Sequence, residues 1–539
     1  MKRILAALLV SALALSIFAC GGGGGGDSPD ASNTSDASSA PGATSTSAAE
    51  NSPGASARDT VIIAVTQDSG TLDPTLISGN DILNAVQLVF DQLWYIDENG
   101  DEIMMLATER ERLDELTFRV HLREGVTFTN GNTFEADDVL FSLDHANNRF
   151  GQPAIVPLLD VENSKIIDPH TIDLVFTEYR ITLMQSIGGL CMFDKQTSEA
   201  DPETMSTRLI GTGPYIISEY VVNSHLNLTQ KDEYWGTKPA IKNYSFVQLK
   251  EESQRVNAIE TGEVDVADIP YQDIEYVKSL PGVKVDEAPS FMGSGLYFNI
   301  AESSIFHENP DARRAVAYAV DRNAINSLAY SGTGTIPNAP VDGTASDGDG
   351  RMSDMGIYAD DYKPEFAAEL AESSGLTGKT VRLINNGSSA AALTSELIQA
   401  DCKKAGITVE VISLDMGTWI TNMYDETYYD MYIDGVPISP DSYSGTYLFC
   451  YGYMAAMSYV NYNFNGKDKV WEILEAVLAI DDVAERIEMN NELARICADD
   501  MLWLNLVSPS SALGMAADLQ GSVRNAYNVA NLFRNLYWG

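Results

Sequence analysis

The first reactive side chain in this sequence is a thiol, and its setting indicates what happens to it. Cys20 follows Ala19 at the end of an almost unbroken apolar run, Ile4 to Ala19, led by Lys2 and Arg3. A short positive segment, an apolar core and a small residue make a secretory signal. A cysteine at the junction is the pattern on which bacterial lipoprotein processing acts, so the chemistry expected at Cys20 is lipidation. The run is short for a bilayer span, which takes about 20 apolar residues. A plain signal peptide with an incidental cysteine is the alternative, because Phe18 stands where a small residue is usual.

Other chemistry-bearing residues do not assemble into a catalytic pattern. Cys191, Cys402, Cys450 and Cys497 show no C-x-x-C pair and no metal-type spacing. They read as small buried hydrophobes, with a disulfide in the second half left open. The histidines, His121, His145, His170, His225 and His307, are scattered as surface or core residues. No G-x-S-x-G, H-E-x-x-H or P-loop occurs. Gly211-Thr212-Gly213-Pro214-Tyr215 shapes a turn into a strand and is no phosphate cradle. Arg119, Arg123 and Asp137-Asp138 are either a salt-bridge network or a solvated face, and Tyr234-Trp235 reads as a packed corner. Carboxylates are abundant enough for a paired-acid glycosidase, but nothing singles out a pair. The expectation is no enzyme, no metal and no cofactor.

One aromatic concentration stands out. Trp419, Tyr424, Tyr428, Tyr429, Tyr432, Tyr443, Tyr447, Phe449, Tyr451, Tyr453, Tyr459 and Tyr462 crowd a single stretch. Such residues either pack on one another or form a pocket wall that offers apolar faces and hydroxyls to a ligand.

These residues must be carried by a large folded body. The chain has 539 residues and is 45% hydrophobic, enough for two or three compact units. Before that body, Gly21 to Gly26 is pure glycine, and Asp27 to Ala57 is almost all small, polar or proline residues. That composition makes residues 20–57 a disordered tether, with a reach of about 35 Å. Asp and Glu number 77 against 34 Lys and Arg, a formal charge of −43. That sign excludes nucleic acid as a partner. It serves solubility, or favours cationic and amine-bearing solutes.

The patterning beyond residue 58 is α/β. Val61 to Thr66 and Thr117 to Leu122 read as strands, and Asn130-Gly131 as a hairpin turn. Helical spacing runs over Asp81 to Tyr95, Ala136 to Asn147, Glu251 to Glu260 and Asp311 to Ala329. Val381 to Ile384, Ala390 to Ala405 and Ile407 to Ile412 read strand–helix–strand, which implies a parallel sheet. Val470 to Leu478 and Asp482 to Ala498 are further helices.

Several short motifs then follow one another in a telling order. They are Thr71-Leu72-Asp73-Pro74, Phe90-Asp91-Gln92-Leu93, Leu116 to Val120 with Leu122 to Phe128, and Asn130 to Val139. Gly211 to Tyr215, Glu233-Tyr234-Trp235, Thr261 to Asp265, Phe298-Asn299 and Arg313 to Arg322 continue the series. Together they resemble the family 5 bacterial extracellular solute-binding proteins, which serve ABC importers of peptides and nickel. The resemblance implies a two-lobed α/β clamp with an extra subdomain near 100–208 and two crossover segments. The first lobe would span 58–294 and the second 295–507, with 508–539 returning to the first. The crossovers would fall near Tyr297-Phe298-Asn299 and Leu506-Val507-Ser508.

The same resemblance implies a monomeric, lipid-anchored receptor at the outer face of the cytoplasmic membrane. It would hand a small solute, a peptide first of all, to an ABC permease and its ATPase subunits. A metal chelate or oligosaccharide is the alternative solute, and a secreted hydrolase or an adhesin the alternative class. Ligand contacts are expected from Ser78-Gly79-Asn80 and from Gly435-Val436-Pro437-Ile438-Ser439, with Trp419 in the pocket wall. Relatives carry an aspartate at the position of Ser439 and often a tryptophan at that of Val436. This chain departs at both, leaving Asp441 as the expected partner for a peptide's amino terminus.

Overall fold

The structure is a computed structural model that describes residues 58–68, 70–77, 80–96, 102–147, 158–180, 183–290, 292–337, 362–423, 425–437, 464–477, 479–521 and 532–539. Two large sheets organise the described chain. The first has seven strands in the order Val283–Pro289, Ser510–Ala516, Val266–Ile269, Thr60–Val65, Asn243–Gln248, His225–Gln230 and Tyr215–Val221. The second has five, in the order Thr408–Ser413, Thr380–Asn385, Met431–Pro437, Met292–Phe298 and Trp503–Val507. A four-stranded antiparallel sheet, Ala107–Arg112, Thr117–Leu122, Thr171–Val175 and Lys165–Asp168, carries its own apolar core around Phe118, Val120 and Leu174. The fold is a two-lobed α/β clamp with that extra layer on the first lobe.

The chain passes between the two large sheets twice. Val283–Pro289 lies in the first and Met292–Phe298 in the second, and Trp503–Val507 lies in the second and Ser510–Ala516 in the first. Tyr297 and Phe298 therefore form the end of a second-lobe strand, and the first passage lies between Pro289 and Met292. Ser290 N–H donates to the Pro509 carbonyl at 2.9 Å, which binds the two passages side by side.

Local chemistry explains most element boundaries. Helix Glu252–Thr261 stops at Gly262, whose φ of +72° gives the left-handed cap that a glycine adopts without strain. Strand Thr380–Asn385 pairs in parallel with Thr408–Ser413 across helix Ser389–Lys404, as the strand–helix–strand pattern requires. The apolar spacing over Asp311 to Ala329, however, is divided between two helices, Pro310–Ala319 and Arg322–Ala329. Val320 is extended, and the Asp321 carboxylate caps the second helix by accepting from Ala324 N–H at 3.0 Å. Apolar periodicity runs through such a break because both helices face one core.

A second correction concerns residues 81–95. The helix covers only Asn80–Val86, and the chain then turns before strand Trp94–Ile96. The carbonyls of Leu88 and Val89 accept from Tyr215 and Gly213 N–H, so they are committed to the Gly211–Tyr215 segment. Only glycines fit there: a Cβ at Gly211 would lie 2.2 Å from the Val89 carbonyl oxygen, and one at Gly213 would lie 2.7 Å from it.

Beside this contact lies a carboxylate bonded by three side chains. Asp91 is fully buried. Its Oδ1 accepts from Arg534 Nη1 at 2.6 Å and from the Tyr234 hydroxyl at 3.0 Å, and its Oδ2 from Trp235 Nε1 at 2.7 Å. Arg534 also donates to the Gln87 and Phe90 carbonyls. Arg123 lies over the Trp235 ring at 4.9 Å, while Arg119 forms a separate fork to Asp173 at 2.7 and 2.9 Å.

Breaking one partner of a buried ion pair strands the other and costs about 3–5 kcal/mol. Arg534→Met should therefore destabilise the protein by about that amount in urea unfolding. Asp91→Asn in the same chain should return part of the loss. A destabilisation below about 1 kcal/mol, the surface-pair range, would show the pair to be no support for the fold.

Candidate functional site

The second-lobe strand Met431–Pro437 is pinned at its start and open at its end. Asn299 Nδ2 donates to the Glu426 and Tyr429 carbonyls at 2.7 and 2.9 Å, and Asn299 N–H donates to Asp430 O. Arg382 holds the Asp430 carboxylate through its own N–H and its guanidinium. From there the strand pairs with Met292–Phe298 along its whole length, Met431 opposite Phe298 and Pro437 opposite Met292. On its other side it pairs with Thr380–Asn385 only at Leu383↔Met431 and Ile384↔Tyr432.

Past that point the two strands part, and a cavity of about 180 Å³ opens between the lobes. Tyr271 contributes to it from the first lobe. Gly293, Ser294 and Pro509 line it at the passages, and Tyr330, Asn386, Ser388, Ile433, Asp434 and Gly435 from the second lobe. The lobes touch around this cavity. The Tyr271 and Tyr330 rings meet edge to face at 4.9 Å, and Ser331 Oγ donates to Tyr271 O at 2.8 Å. Ser389 Oγ donates to Glu252 Oε2 at 2.6 Å, beside Gln272. Farther away the Tyr179 hydroxyl of the extra subdomain donates to Asp481 at 2.7 Å.

Two other hollows have structural neighbours. An open groove of about 850 Å³ lies over the Arg534, Tyr234 and Trp235 cluster. A cavity of about 170 Å³ lies behind Pro74, Thr75 and Ile77, against Ser142 and Cys191. There Asp73 is spoken for, accepting from Thr75 N–H and Oγ1 and facing His145 Nε2 at 3.1 Å. The Asp73 carboxyl is held below its ordinary value by these bonds, against the opposing effect of burial.

The sequence-derived site residues fall out as follows. Gly435 lines the interlobe cavity, and its carbonyl accepts from the Tyr297 hydroxyl at 3.1 Å. Val436 and Pro437 complete the same strand, opposite Gly293 and Met292. Asn80 begins helix Asn80–Val86. Trp419 sits in helix Met416–Met423, buried in the second-lobe core, and is not among the cavity's lining residues. Ser78, Gly79, Ile438, Ser439, Asp441 and Cys20 lie outside the described residues, as do Tyr424, Phe449 and the tyrosines from Tyr443 to Tyr462. Of the aromatic group, Tyr432 stacks on Tyr297 at 4.8 Å and meets Tyr429 edge-on at 5.4 Å.

The acid that sequence reasoning passed over is Asp434. Among the described residues its carboxylate accepts one hydrogen bond, 2.7 Å from Gly435 N–H. Burial pushes its pKa up to about 7, and that single bond only partly opposes the shift. The signal was present: Asp434 is the one charged residue in a strand that otherwise reads MYI–GVP.

With this geometry in view, comparison with known proteins is informative. The profile of bacterial extracellular solute-binding proteins, family 5 (middle region), matches residues 103–455. The chain belongs to this family. It is 26% identical over 515 residues to the probable ABC transporter periplasmic-binding protein SapA of Escherichia coli K12, covering 88% of this chain and 92% of that one. Its fold matches the dipeptide-binding protein of a Pseudoalteromonas species in complex with Met-Leu, with a TM-score of 0.76 at 17% identity over 89% of this chain and all of the other. NikA of Brucella suis in complex with Fe(III)-EDTA matches with the same TM-score and coverage at 19% identity. Members of this family bind solutes for transport and are not enzymes, which agrees with the lack of a catalytic motif in the sequence.

The Asp434 shift has a checkable sign. Folding takes up a proton at Asp434 between the ordinary value of 3.8 and about 7, so its contribution to stability falls as pH rises through that window. Asp434→Asn removes the charge and should melt a few degrees above the parent at pH 8, with the gap closing towards pH 4. Circular dichroism melts at both pH values measure it. A gap that is the same at both would show that Asp434 does not ionise in a buried setting.

Proposed function

We propose that this protein is the extracytoplasmic receptor of an ABC importer, tethered to the membrane by lipid on Cys20 and acting as a monomer. It captures a short peptide between its lobes and presents it to a permease driven by ATPase subunits. The observation that carries the peptide reading is the free side of strand Met431–Pro437 beyond Tyr432. Among the described residues that strand has a partner on one side only there, and the cavity lies alongside. An extended peptide completes such an edge with main-chain hydrogen bonds, while pockets on either side read its side chains. Gly435 lets a backbone approach closely, and the dipeptide complex of a structural neighbour is in keeping with this mode. A bare metal ion fits less well, since among the described residues no group of three His, Cys, Asp or Glu is arranged to hold one.

Capture requires that the ligand favour one arrangement of the lobes over another. The passages between Pro289 and Met292 and between Val507 and Ser510 are short enough to act as hinges, and Tyr271–Tyr330 and Tyr179–Asp481 are contacts that closure makes.

Small-angle scattering with a mixture of di- to tetrapeptides is expected to show the radius of gyration falling on saturation. An unchanged radius with binding confirmed by calorimetry would rule out the clamp. For the anchor, the parent is expected in the membrane fraction and Cys20→Ala in the soluble fraction. Equal partition of the two would remove lipidation from the proposal.

A further inference from the structure

One contact between the lobes uses no residue of the chain passages and none of the cavity lining. It joins the extra subdomain to the second lobe through a single carboxylate, that of Asp481. The Tyr179 hydroxyl donates to Asp481 Oδ1 at 2.7 Å, and Arg112 Nη1 stands 3.9 Å from Asp481 Oδ2.

Each side of this contact is fixed within its own body. On the extra subdomain, Arg112 ends strand Ala107–Arg112, opposite Phe118. Its Nε and Nη2 donate to the Asp114 and Glu115 carbonyls at 3.2 and 3.0 Å. Its guanidinium lies over the Tyr179 ring at 4.0 Å, and that ring stacks on Phe118 at 6.4 Å. The phenol is thus held between a cation and an aromatic face, with no help from the second lobe. On the second lobe, Arg486 Nη1 donates to the Ile480 and Asp481 carbonyls at 2.9 and 2.8 Å, and Asp482 caps helix Val483–Asp499. Those bonds fix the backbone that carries Asp481. Among the described residues, however, no bond from its own lobe reaches the Asp481 carboxylate, which is 67% exposed.

We propose that Arg112, Tyr179 and Asp481 form a latch by which the extra subdomain holds the lobes together, and that this latch sets how long a solute stays trapped, whichever solute it is. The proposal rests on the receptor reading above and adds to it the control of release. None of the three residues lines the interlobe cavity, so the latch does not recognise the solute. It acts only on the equilibrium between closed and open lobes, and that equilibrium scales the apparent affinity for every solute by one factor. Tyr271 and Tyr330 differ in this respect. They line the cavity, so their part in closure depends on what lies between the lobes. Exposure suits the latch to repeated use. A charge-assisted hydrogen bond at the surface is weak enough to break at each opening, and it reforms readily because both halves keep their shape.

Stopped-flow dissociation of Ala-Ala, Met-Leu and Ala-Ala-Ala from the parent, Tyr179→Phe, Asp481→Ala and the double variant tests the latch. Tyr179→Phe loses one hydroxyl and keeps its ring on Phe118, and Asp481→Ala changes an exposed side chain. Should Tyr179→Phe melt below the parent, Asp481→Ala alone carries the test. Each single variant is expected to release its peptides about threefold to fivefold faster than the parent, by the same factor for all of them. The double variant is expected to be no faster than Asp481→Ala, because both changes remove one bond. Unchanged rates, factors that differ between peptides, or effects that multiply in the double variant overturn the latch and leave the peptide receptor standing. If the parent binds none of the peptides, the peptide reading falls and the latch is read from the radius of gyration of the solute-free chain. A larger radius in Asp481→Ala than in the parent then retains the latch, and an equal radius overturns it.

Discussion

The first lobe depends on one buried carboxylate. Asp91 follows the turn that ends helix Asn80–Val86, and its two oxygens draw in Tyr234 and Trp235 from the connection between strands His225–Gln230 and Asn243–Gln248 and Arg534 from the end of the chain. Three segments separated by more than a hundred residues each are thereby fixed to one point. The Asp91 N–H is also within reach of Thr212 Oγ1, between the two glycines that lie against Val89. A charge buried this completely is tolerated only when it is fully bonded, so the four segments must arrive together. The two peptide groups of Leu88 and Val89 cannot be helical and serve this cluster at once, which is why the helix stops at Val86.

The second lobe uses the same device with the signs exchanged. Arg313, almost wholly buried, binds the Asp500 carboxylate and carbonyl, and Arg322 donates to the carbonyls of Pro337 and Asn505. Arg313 ties helix Pro310–Ala319 to Asp500 just before strand Trp503–Val507, and Arg322 clamps helix Arg322–Ala329 to that strand, which flanks Met292–Phe298. That strand in turn positions Met431–Pro437. The route from core to cavity is therefore short: a buried arginine fixes a strand, the strand fixes its neighbour, and the neighbour carries Gly435 and Asp434.

The motifs visible in the sequence belong to this scaffold. Leu72-Asp73-Pro74, Phe90-Asp91, Glu233-Tyr234-Trp235, Asp265 and Arg313 to Arg322 were legible as a series, and the structure uses their polar members to bond distant segments. Asp265, for example, accepts from Ile62 N–H and Arg58. The α/β clamp and the parallel half of the second-lobe sheet followed from that series and from periodicity, whereas Met292–Phe298 pairs antiparallel with both of its neighbours. Element ends followed less well, since the breaks at Val86 and Val320 come from tertiary hydrogen bonds that apolar spacing does not register. The cavity was least legible. Gly435 was reached through the resemblance, but Ser294, Tyr271 and Tyr330 come together only through the passages between sheets, and no local pattern announces that.

Asp434 and Asp138 show how the same upward shift arises in two different bonding settings. Burial pushes both carboxyls up to about 7. Asp138, however, accepts from Glu135 N–H at one oxygen and from Lys195 N–H at the other, so it caps helix Ala136–Asn147 and ties it to helix Lys195–Ala200. Its burial is explained by what it joins. Among the described residues Asp434 is bonded only by the Gly435 N–H, and a strand with Asn in its place would pair equally well. An ionisable group kept in a poorly hydrated setting at the expense of stability, with one carboxylate oxygen unbonded among the described residues, does nothing for the core. Within the described residues, the strand end at Asp434 is thus the point where the scaffold's matching of acids to distant donors stops.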